Sequence, residues 1–461
     1  MKQTDGHAAD AQDGAGPPQP GLLLVFSAGK PLWGILPIPL PAAGLDLGRD
    51  LVAPLVDDPR ISRSHARVEV RENRFIATDL GSRNGTAADG EPVAPQTSRP
   101  FGRCLRIGNT LLLPTADINP LRTLHPSVQG TMVLGPRLLQ VYLRINRVAT
   151  SSTTLHITGE SGAGKENAAR AFHAASNATG PFVAVNCATI PEGIAERLLF
   201  GAKKGAFSGI TADVEGYVQA ANGGTLFLDE IAELALTVQA KLLRVLESRE
   251  VLALGALKPQ PVKLQICSAS HRALSSEVAA KRLREDLYYR IGLPAERIPP
   301  LRERPEEISW LIDLELRRCK ADLLSHVSLV EACILRTWPG NVRELLVQIR
   351  SAAQEARASH EQSVRATHLA PTAGLVIAPE SGSLAGPALT TSPAPAAAPP
   401  PAEPKPEPAV PSRSQIVAAL LDAGGNVSEA ARRMGLHRSY LRRHIDYHGI
   451  DPKKLRSAVK T

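Results

Sequence analysis

Residues 159–166, Gly-Glu-Ser-Gly-Ala-Gly-Lys-Glu, have the spacing G-x-x-x-x-G-K and directly follow a short apolar stretch. Glycines allow such a loop to wrap closely around an anion, so that backbone N–H groups and the positive end of the next helix face phosphate oxygens. Lys165 would then reach the β- and γ-phosphates. A chance match in a basic, glycine-containing chain is the alternative. The candidate nucleotide-binding residues of this loop are Gly159, Glu160, Ser161, Gly162, Ala163, Gly164, Lys165 and Glu166.

Residues 223–230, Gly-Gly-Thr-Leu-Phe-Leu-Asp-Glu, are an apolar run that ends in two carboxylates. The run predicts a buried parallel strand, and ligands bind at the carboxyl ends of strands in open α/β sheets. There Asp229 can hold Mg²⁺, directly or through water, and Glu230 can orient or deprotonate an attacking water. A strand followed by the acidic N-cap of a helix is the alternative. Combined with the upstream loop, the pair predicts hydrolysis of a nucleoside triphosphate.

Composition limits the class of protein. The chain has 461 residues, which suggests about three domains. Its net charge of +8 permits a nucleic-acid partner without proving one. We find no apolar run near the roughly 20 residues that span a bilayer, and no secretory signal pattern. Five scattered cysteines without a C-x-x-C pair predict free thiols and a cytoplasmic location.

The composition also changes along the chain, and these changes predict five segments. Residues 1–20 are rich in Gly, Pro and Ala, which predicts disorder. Residues 21–118 contain short apolar runs between turn residues, which predicts an all-β sandwich. Residues 129–370 mix helical and strand patterns, residues 371–412 form a Pro/Ala-rich linker, and residues 413–461 are basic and helical.

Three polar clusters lie between the predicted N-terminal strands: residues 48–49, 62–66 and 79–86. Their order, G-R, S-R-x-H-A and N-G-T, resembles the forkhead-associated (FHA) domain, which binds phosphothreonine peptides. The resemblance implies that Arg49 and Ser62 contact the phosphate and that Asn84 contacts the peptide main chain, while His65 braces the loop. The full set of candidates for phosphopeptide binding is Arg49, Ser62, Arg63 and Asn84. Ordinary turn residues are the alternative, because Asn-Gly is a common hairpin turn.

Residues 200–211, Phe-Gly-Ala-Lys-Lys-Gly-Ala-Phe-Ser-Gly-Ile-Thr, resemble the GAFTGA loop of bacterial enhancer-binding proteins, the AAA+ ATPases that activate sigma-54 RNA polymerase. Further similarity lies in residues 181–188, 283–290, 298–304 and 338–345. The resemblance implies ATP and Mg²⁺ as cofactors and an α/β AAA+ domain with a helical lid. The candidate sigma-54 contacts are Gly205, Ala206, Phe207, Ser208, Gly209 and Ile210.

The same resemblance implies roles for three arginines. Arg284 and Arg290 would be offered to the nucleotide of a neighbouring subunit, and Arg343 would be the sensor II arginine. An arginine that acts on a neighbour requires a ring, in this family a hexamer. A surface ion pair is the alternative for each arginine.

Four positions depart from the family pattern. In the sigma-54 loop, Ser208 replaces Thr and Ile210 replaces Ala; Ala163 replaces Thr in the phosphate loop. His271 stands where the sensor I segment usually has Asn, and an imidazole can still make one hydrogen bond there. Glu166, where phosphate loops commonly carry Ser or Thr, is normal for the family.

Residues 424–450 resemble a Fis-type helix-turn-helix domain, with Gly435 at the turn and a second helix near residue 438. The first residues of such a helix meet base edges, while neighbouring basic residues hold phosphates. A basic helical pair without a DNA role is the alternative. The candidate DNA-binding residues are Arg438, Ser439, Tyr440, Arg442 and Arg443.

These observations predict a multidomain protein: an all-β FHA sandwich, an α/β AAA+ ATPase with a helical lid, and a small all-α helix-turn-helix domain. The predicted function is activation of sigma-54 RNA polymerase from upstream double-stranded DNA, gated by a phosphothreonine partner, with dimer-to-hexamer assembly and no membrane. Two alternatives remain, an ATP-binding DNA regulator that no longer drives sigma-54 and a phosphoprotein scaffold.

Overall fold

The chain forms two units, residues 1–380 and 381–461, which we describe separately. The computed structural model describes residues 17–52, 54–122, 127–129, 132–176, 178–206, 211–319 and 323–375 of the first unit. In the second unit it describes residues 416, 419–420, 422–423, 427–434, 441 and 445.

Short antiparallel strands build the N-terminal sandwich. Its strands are Gly21–Ser27 (β1), Lys30–Pro39 (β2), Leu45–Leu47 (β3), Ala66–Arg71 (β4), Arg74–Asp79 (β5), Thr86–Ala88 (β6), Glu91–Val93 (β7), Ser98–Phe101 (β8), Leu105–Ile107 (β9) and Thr110–Thr115 (β10). They form a six-stranded sheet, β2-β1-β10-β9-β6-β7, and a four-stranded sheet, β3-β4-β5-β8. Two one-turn helices accompany them, Arg49–Val52 (α1) and Asn119–Arg122 (α2).

Strand β1 is buried along its whole length. Leu22 and Leu24 point into the core between the two sheets, whereas Leu23, Val25 and Phe26 belong to a different cluster outside the sandwich. Because alternate residues of a strand face opposite sides, both faces of this part of the sheet are covered by other parts of the protein.

The central domain is built on a parallel sheet. Its strands are Ser127–Gln129 (β11), Met132–Leu134 (β12), Thr154–Thr158 (β13), Phe182–Asn186 (β14), Thr225–Asp229 (β15), Glu250–Val251 (β16), Gln260–Pro261 (β17), Gln265–Ser270 (β18) and Ala295–Arg297 (β19). Its helices are Pro136–Ser151 (α3), Lys165–Ala175 (α4), Glu192–Phe200 (α5), Tyr217–Ala220 (α6), Leu236–Ser248 (α7), Leu274–Ala279 (α8) and Glu285–Ile291 (α9). Five strands pair in parallel in the order β14-β15-β18-β13-β19, with β13 beside β18 and β19.

A helical lid follows the sheet. It consists of Ile308–Arg318 (α10), Leu324–Ser325 (β20), Val327–Ile334 (α11), Asn341–Ala358 (α12) and Ser363–Val364 (β21). Apolar faces of the three helices share one core, in which Trp310 and Trp338 are the largest fully buried side chains. The 3₁₀ turns of the chain are Cys187–Thr189, Ile231–Glu233, Leu301–Glu303, Pro305–Glu307 and Ala366–His368.

The described part of the second unit includes one helix, Val427–Arg433 (α13). Two of its alanines join a small core with the side chains of Ile416, Leu420, Leu441 and Ile445. An apolar spacing of this kind is typical of a compact helical domain.

Two predicted segment boundaries need correction. Residues 17–20, expected within the disordered segment, are tied to the sandwich: the Leu40 and Ile118 N–H groups donate to the Pro20 and Gln19 carbonyls at 2.9 Å each. Residues 371–375, expected within the linker, pack on the lid, since the Gly374 carbonyl accepts from the Thr337 and Trp338 N–H groups. Backbone pairing decides both boundaries, and composition did not reveal it. The remaining residues of these segments, 1–16 and 376–412, lie outside the described residues.

Candidate functional site

The phosphate loop connects β13 to α4, as the sequence pattern predicts. Gly162 and Gly164 have φ of +75° and +109°, a region that L side chains rarely adopt. A Cβ atom on Gly162 would lie 2.2 Å from the Gly340 carbonyl oxygen of the lid. Glycine is therefore required at this position by both backbone conformation and space.

Lys165 is the first residue of α4, and only 7% of its surface is exposed. Its Nζ donates to the Gly159 carbonyl at 3.0 Å and lies 3.5 Å from Glu230 Oε1. The ammonium group is thus fixed at the mouth of the loop, between the loop backbone and a carboxylate.

Asp229 ends strand β15, which is otherwise buried. Its Oδ1 is buried and has no hydrogen-bond partner among the described residues, and burial raises the pKa of its carboxyl group. A buried oxygen without a partner, beside a phosphate loop, fits a Mg²⁺ ion that takes its remaining ligands from phosphates and water. In the described part of the chain, no group of three or more His, Cys, Asp or Glu side chains is placed to hold a metal ion by itself.

Glu230 follows with φ of +53°, so its side chain turns away from the strand direction. Its Oε2 accepts hydrogen bonds from His271, at 2.7 Å from Nδ1 and 3.3 Å from the backbone N–H. Burial raises the pKa of Glu230, but the bonds from His271 and the charge of Lys165 outweigh it, and the net pKa lies below the ordinary value. Glu230 is therefore an ionised carboxylate, as a proton acceptor must be.

The lid contacts the phosphate loop directly. Arg343 Nη1 lies 3.3 Å from Ser161 Oγ. Asn341 is fully buried and donates through Nδ2 to the Ser161 carbonyl at 3.0 Å and to Glu160 Oε2 at 3.1 Å. Glu160 is also held by a two-pronged ion pair with Arg302, which lowers the pKa of its carboxyl group. These contacts link lid movement to the shape of the loop.

Sequence reasoning assigned no role to several residues here. Arg304 donates to the Ala163 carbonyl at 2.8 Å and pairs with Glu307 at 2.6 Å, and both are buried. Arg304 lies in residues 298–304, a segment singled out by the family resemblance, so its position could have been noticed in the sequence. Its partner Glu307 lies outside that segment. Asn341 likewise stood in a matched segment.

A cavity of about 470 Å³ joins these groups. Its lining includes the mostly apolar side chains of Met132, Leu138 and Tyr142 as well as Lys165 and the two carboxylates. The full lining is Met132, Val133, Leu138, Tyr142, residues 161–167, Asn186, Asp229, Glu230, Arg304, Glu307, Leu311, Val342, Arg343 and Leu346. A lining that combines apolar side chains with a phosphate loop suits a nucleotide.

Arg284 and Arg290 do not line this cavity in their own chain. Arg284 pairs with Asp286 at 2.6 Å, and Arg290 Nη2 donates to the Leu246 carbonyl at 3.2 Å. Arg284 borders a separate, shallow surface pocket with Glu285, Asp286 and Tyr289.

The N-terminal sandwich brings the three predicted loop clusters together. The Arg49 side chain donates to the Ile61 and Pro59 carbonyls at 3.0 and 3.3 Å, and Arg49 begins the one-turn helix α1. A Cβ on Gly48 would lie 1.8 Å from the Arg63 carbonyl oxygen, so only glycine allows this approach.

His65 is fully buried in the same place. Its Nδ1 accepts from the Ser62 N–H at 3.0 Å, which leaves Nε2 to donate to the Gly85 carbonyl at 3.1 Å. Burial lowers the pKa of His65, which keeps it neutral. Ser62 Oγ accepts from the Arg83 N–H, and the Asn84 amide donates to the Arg60 carbonyl at 2.8 Å. Arg49, Arg63 and Asn84 are exposed at this end of the sandwich.

Two sets of candidates lie outside the described residues. Of the sigma-54 loop, Gly205 and Ala206 are described and Phe207, Ser208, Gly209 and Ile210 are not. The DNA-binding candidates Arg438, Ser439, Tyr440, Arg442 and Arg443 are also not described.

The phosphate loop, the carboxylate pair on a parallel sheet and the helical lid define an AAA+ ATPase domain. Three parts of the chain match known protein families. Residues 133–295 match the Sigma-54 interaction domain, residues 45–108 match the FHA domain, and residues 412–447 match the Bacterial regulatory protein, Fis family. The chain thus contains a Sigma-54 interaction domain, with an FHA domain before it and a Fis-family domain after it.

Curated relatives match about half of the chain. The chain is 46% identical over 222 residues to the response regulator protein FleR of Pseudomonas aeruginosa, which covers 47% of each protein. It is 40% identical over 238 residues to the sigma54-dependent transcriptional activator SfnR of Pseudomonas putida, covering 49% of this chain and 64% of SfnR. It therefore spans about half the length of FleR and less than two thirds of SfnR.

A solved structure of NtrX from Brucella abortus in complex with ATP is 28% identical, with a TM-score of 0.48, over 70% of this chain and 69% of NtrX. Within the described residues, no helix combines the length and apolar character needed to cross a membrane.

Proposed function

We propose that this protein is an ATP-dependent transcription activator that binds DNA upstream of a promoter and remodels the closed complex of sigma-54 RNA polymerase. The observation that carries the proposal is the carboxylate pair at the end of β15. Asp229 has a buried oxygen without a partner, and Glu230 is ionised between Lys165 and His271.

Each side chain of the site would have a separate role in ATP hydrolysis. Bound Mg²⁺ would neutralise phosphate charge and align the triphosphate for in-line attack. Asp229 would hold the metal, Lys165 would exchange Glu230 for the phosphates, and Glu230 would accept a proton from the attacking water. Arg343 lies beside Ser161 and would couple phosphate binding to the position of the lid.

A ring of subunits completes the site. Arg284 and Arg290 would meet the nucleotide of the next subunit, which fits their absence from the cavity of their own chain. An arginine that stabilises charge on the transferred phosphoryl group is worth about 10³–10⁵ in rate. We therefore propose a homo-oligomer, a dimer on DNA and a hexamer when active, in which the loop of residues 205–210 acts on sigma-54.

The FHA domain supplies the input in this proposal. Arg49 and Ser62 would bind a phosphothreonine phosphate, Arg63 would add charge, and Asn84 would hold the peptide main chain. The exposure of Arg49, Arg63 and Asn84 at one end of the sandwich supports this assignment. The Fis-type domain would hold DNA through Arg438, Ser439, Tyr440, Arg442 and Arg443.

A second function is favoured by one observation. His271 replaces the usual sensor residue and binds the proposed base directly, which would suit a protein that binds ATP but couples hydrolysis poorly to sigma-54. It would then be a DNA-bound regulator or phosphoprotein scaffold.

Replacement of Glu230 by Gln tests the enzymatic part of the proposal. The amide cannot accept the proton, so we expect kcat for ATP to fall by about 10²–10⁴-fold while ATP still binds. Steady-state turnover and equilibrium nucleotide binding measure the two effects. Glu233→Gln, an exposed carboxylate three positions on, is the matched control. Unchanged turnover in Glu230→Gln would remove Glu230 from the chemistry.

Replacement of Arg49 by Ala tests the FHA assignment. We expect loss of phosphothreonine-peptide binding, measured by titration calorimetry, with basal ATP turnover intact. Arg74→Ala, an exposed arginine at the start of β5, serves as the control. Normal peptide binding by Arg49→Ala would show that the phosphate site lies elsewhere.

A further inference from the structure

The outer face of the FHA sheet is covered by the lid. Leu23, Val25 and Phe26 of β1 share a buried cluster with the lid residues Trp310 and Val330, and each is at most 5% exposed. Leu111 and Leu113 of the neighbouring strand β10 belong to the same cluster. We call the contact of these β1 and β10 side chains with α10 and α11 the FHA–lid interface.

Polar contacts fix the register of this interface. The Ser309 hydroxyl donates to the Val25 carbonyl at 3.0 Å, and the Trp310 indole N–H donates to the Leu32 carbonyl at 2.5 Å. Strand carbonyls outside the sheet pairing are thus satisfied by lid side chains, as buried polar groups require.

An ion pair borders the same contact. Arg106 of β9 pairs with Glu331 of α11 at 2.9 Å, and Glu331 is only 8% exposed. Arg103 donates to the Leu335 carbonyl at the end of α11. This charge pair is largely withdrawn from water. Separation of the two elements would leave each charge unpaired, so the pair fixes the orientation of β9 relative to α11.

The proposed phosphopeptide loop reaches this interface from one side. Asp58 is 5% exposed and accepts from the Arg60 N–H at 3.1 Å, two residues before Ser62. Its other oxygen accepts from the Asn109 N–H at 2.7 Å and the Thr110 hydroxyl at 2.9 Å, at the start of β10. A movement of the loop therefore acts on the strand that touches the lid.

The charge of Arg60 also acts on the lid. Burial lowers the pKa of His326, just before α11, and the charges of Arg365, Arg60 and Arg106 lower it further. An arginine of the peptide loop thus lies within electrostatic reach of the lid.

The nucleotide site lies on the far side of the lid. Helix α12 packs through Leu345 and Ile349 into the cluster that contains Trp310. At its start, Asn341 and Arg343 contact Ser161 of the phosphate loop. Packed side chains and hydrogen bonds therefore run without a gap from the FHA loop to the phosphate loop.

We propose that the FHA domain is a docked part of the ATPase lid, so that phosphopeptide binding at the FHA loop changes nucleotide affinity within the same subunit through the FHA–lid interface. This inference rests on the proposed function for its two ligands. Binding linkage is reciprocal, so nucleotide must change peptide affinity by the same factor.

A phosphothreonine peptide is first selected from a degenerate pool by its binding to the full chain. The test then measures the affinity of a non-hydrolysable ATP analogue for the full chain, with and without a saturating concentration of this peptide. We expect the affinity to change by about fivefold or more. Arg106→Glu and Glu331→Arg should each remove this change while leaving the affinity for each ligand alone unaltered, and the double variant should restore it. Glu331→Gln is the milder substitute if either charge reversal fails to fold.

Hydrogen exchange provides a readout that does not need the peptide. Addition of the ATP analogue to the unaltered protein should change exchange in residues 22–26 and 110–113, and this change should be absent in Glu331→Arg or Glu331→Gln. If no peptide binds, the proposed FHA function fails and this measurement alone decides the interface.

Three results would overturn the inference. The first is simultaneous binding of both ligands without any change in affinity. The second is a change in affinity that survives in the single variants. The third is exchange in β1 and β10 that does not respond to nucleotide.

Discussion

Glu230 and His271 form the most specific contact of the nucleotide site. One carboxylate oxygen faces Lys165 and the other accepts from His271. A base held on two sides keeps its orientation before substrate binds, which limits reorganisation during reaction. Under the proposed function, His271 acts on the chemistry through Glu230 and is therefore a positioning residue.

Replacement of His271 by Ala should therefore impair turnover more than binding. Loss of a hydrogen bond to a charged group is worth about 1.5–3 kcal/mol, so we expect kcat to fall by about tenfold or more with little change in KM. His271→Asn, which keeps one donor, should recover part of the rate. Equal kcat values in His271→Ala and the unaltered protein would contradict this role.

At the residue scale, motif spacing predicted which residues would meet the phosphates, but it did not predict how those side chains contact one another. Lys165, Asp229 and Glu230 were predicted from the loop and the strand ending. The sequence shows that His271 departs from the family pattern. Its hydrogen bond to Glu230, however, depends on the register of β15 against β18 and on the φ of Glu230. Neither quantity is encoded in a local pattern.

The lid helix α12 begins in an unusual way. Asn341 is buried with φ of +54°, a conformation that Asn tolerates better than most residues. Its Oδ1 accepts from the Leu301 N–H at 2.8 Å, while Nδ2 donates to Glu160 and Ser161. One amide therefore joins the lid, the preceding turn and the phosphate loop.

Replacement of Asn341 by Ala should lower both stability and nucleotide affinity. The unpaired Leu301 N–H costs about 1–3 kcal/mol, and alanine adds roughly 1–2 kcal/mol in this backbone region. Thermal unfolding and nucleotide titration measure the two effects. Gln354→Ala, on the exposed face of α12, should change neither. Nucleotide affinity equal to that of the unaltered protein would show that the contact with Ser161 is dispensable.

Strand patterns carried most of the information at the element scale. The run before Asp229 was predicted as a buried parallel strand, and β15 pairs in parallel with both neighbours. Residues 105–113 form two antiparallel strands joined at Gly108 and Asn109, within the segment whose short apolar runs predicted an all-β sandwich. Continuous apolar character in β1 reflects burial on both faces, but the sequence alone does not say that the lid covers the second face.

Resemblance to family motifs predicted the order of domains in the whole molecule, and the family matches agree with that order. It did not predict that the sandwich and the lid share one core, because this core draws on residues more than 200 positions apart. Long-range packing of this kind leaves no local periodicity to detect.

At this scale the central claim is that ATP hydrolysis drives promoter opening. Open-complex formation on a sigma-54 promoter, with purified polymerase and the full chain, tests it most directly. We predict opening with ATP and none with a non-hydrolysable analogue or with Glu230→Gln. Hydrolysis of ATP without opening would contradict the claim, and it would favour a DNA-bound regulator that no longer acts on sigma-54.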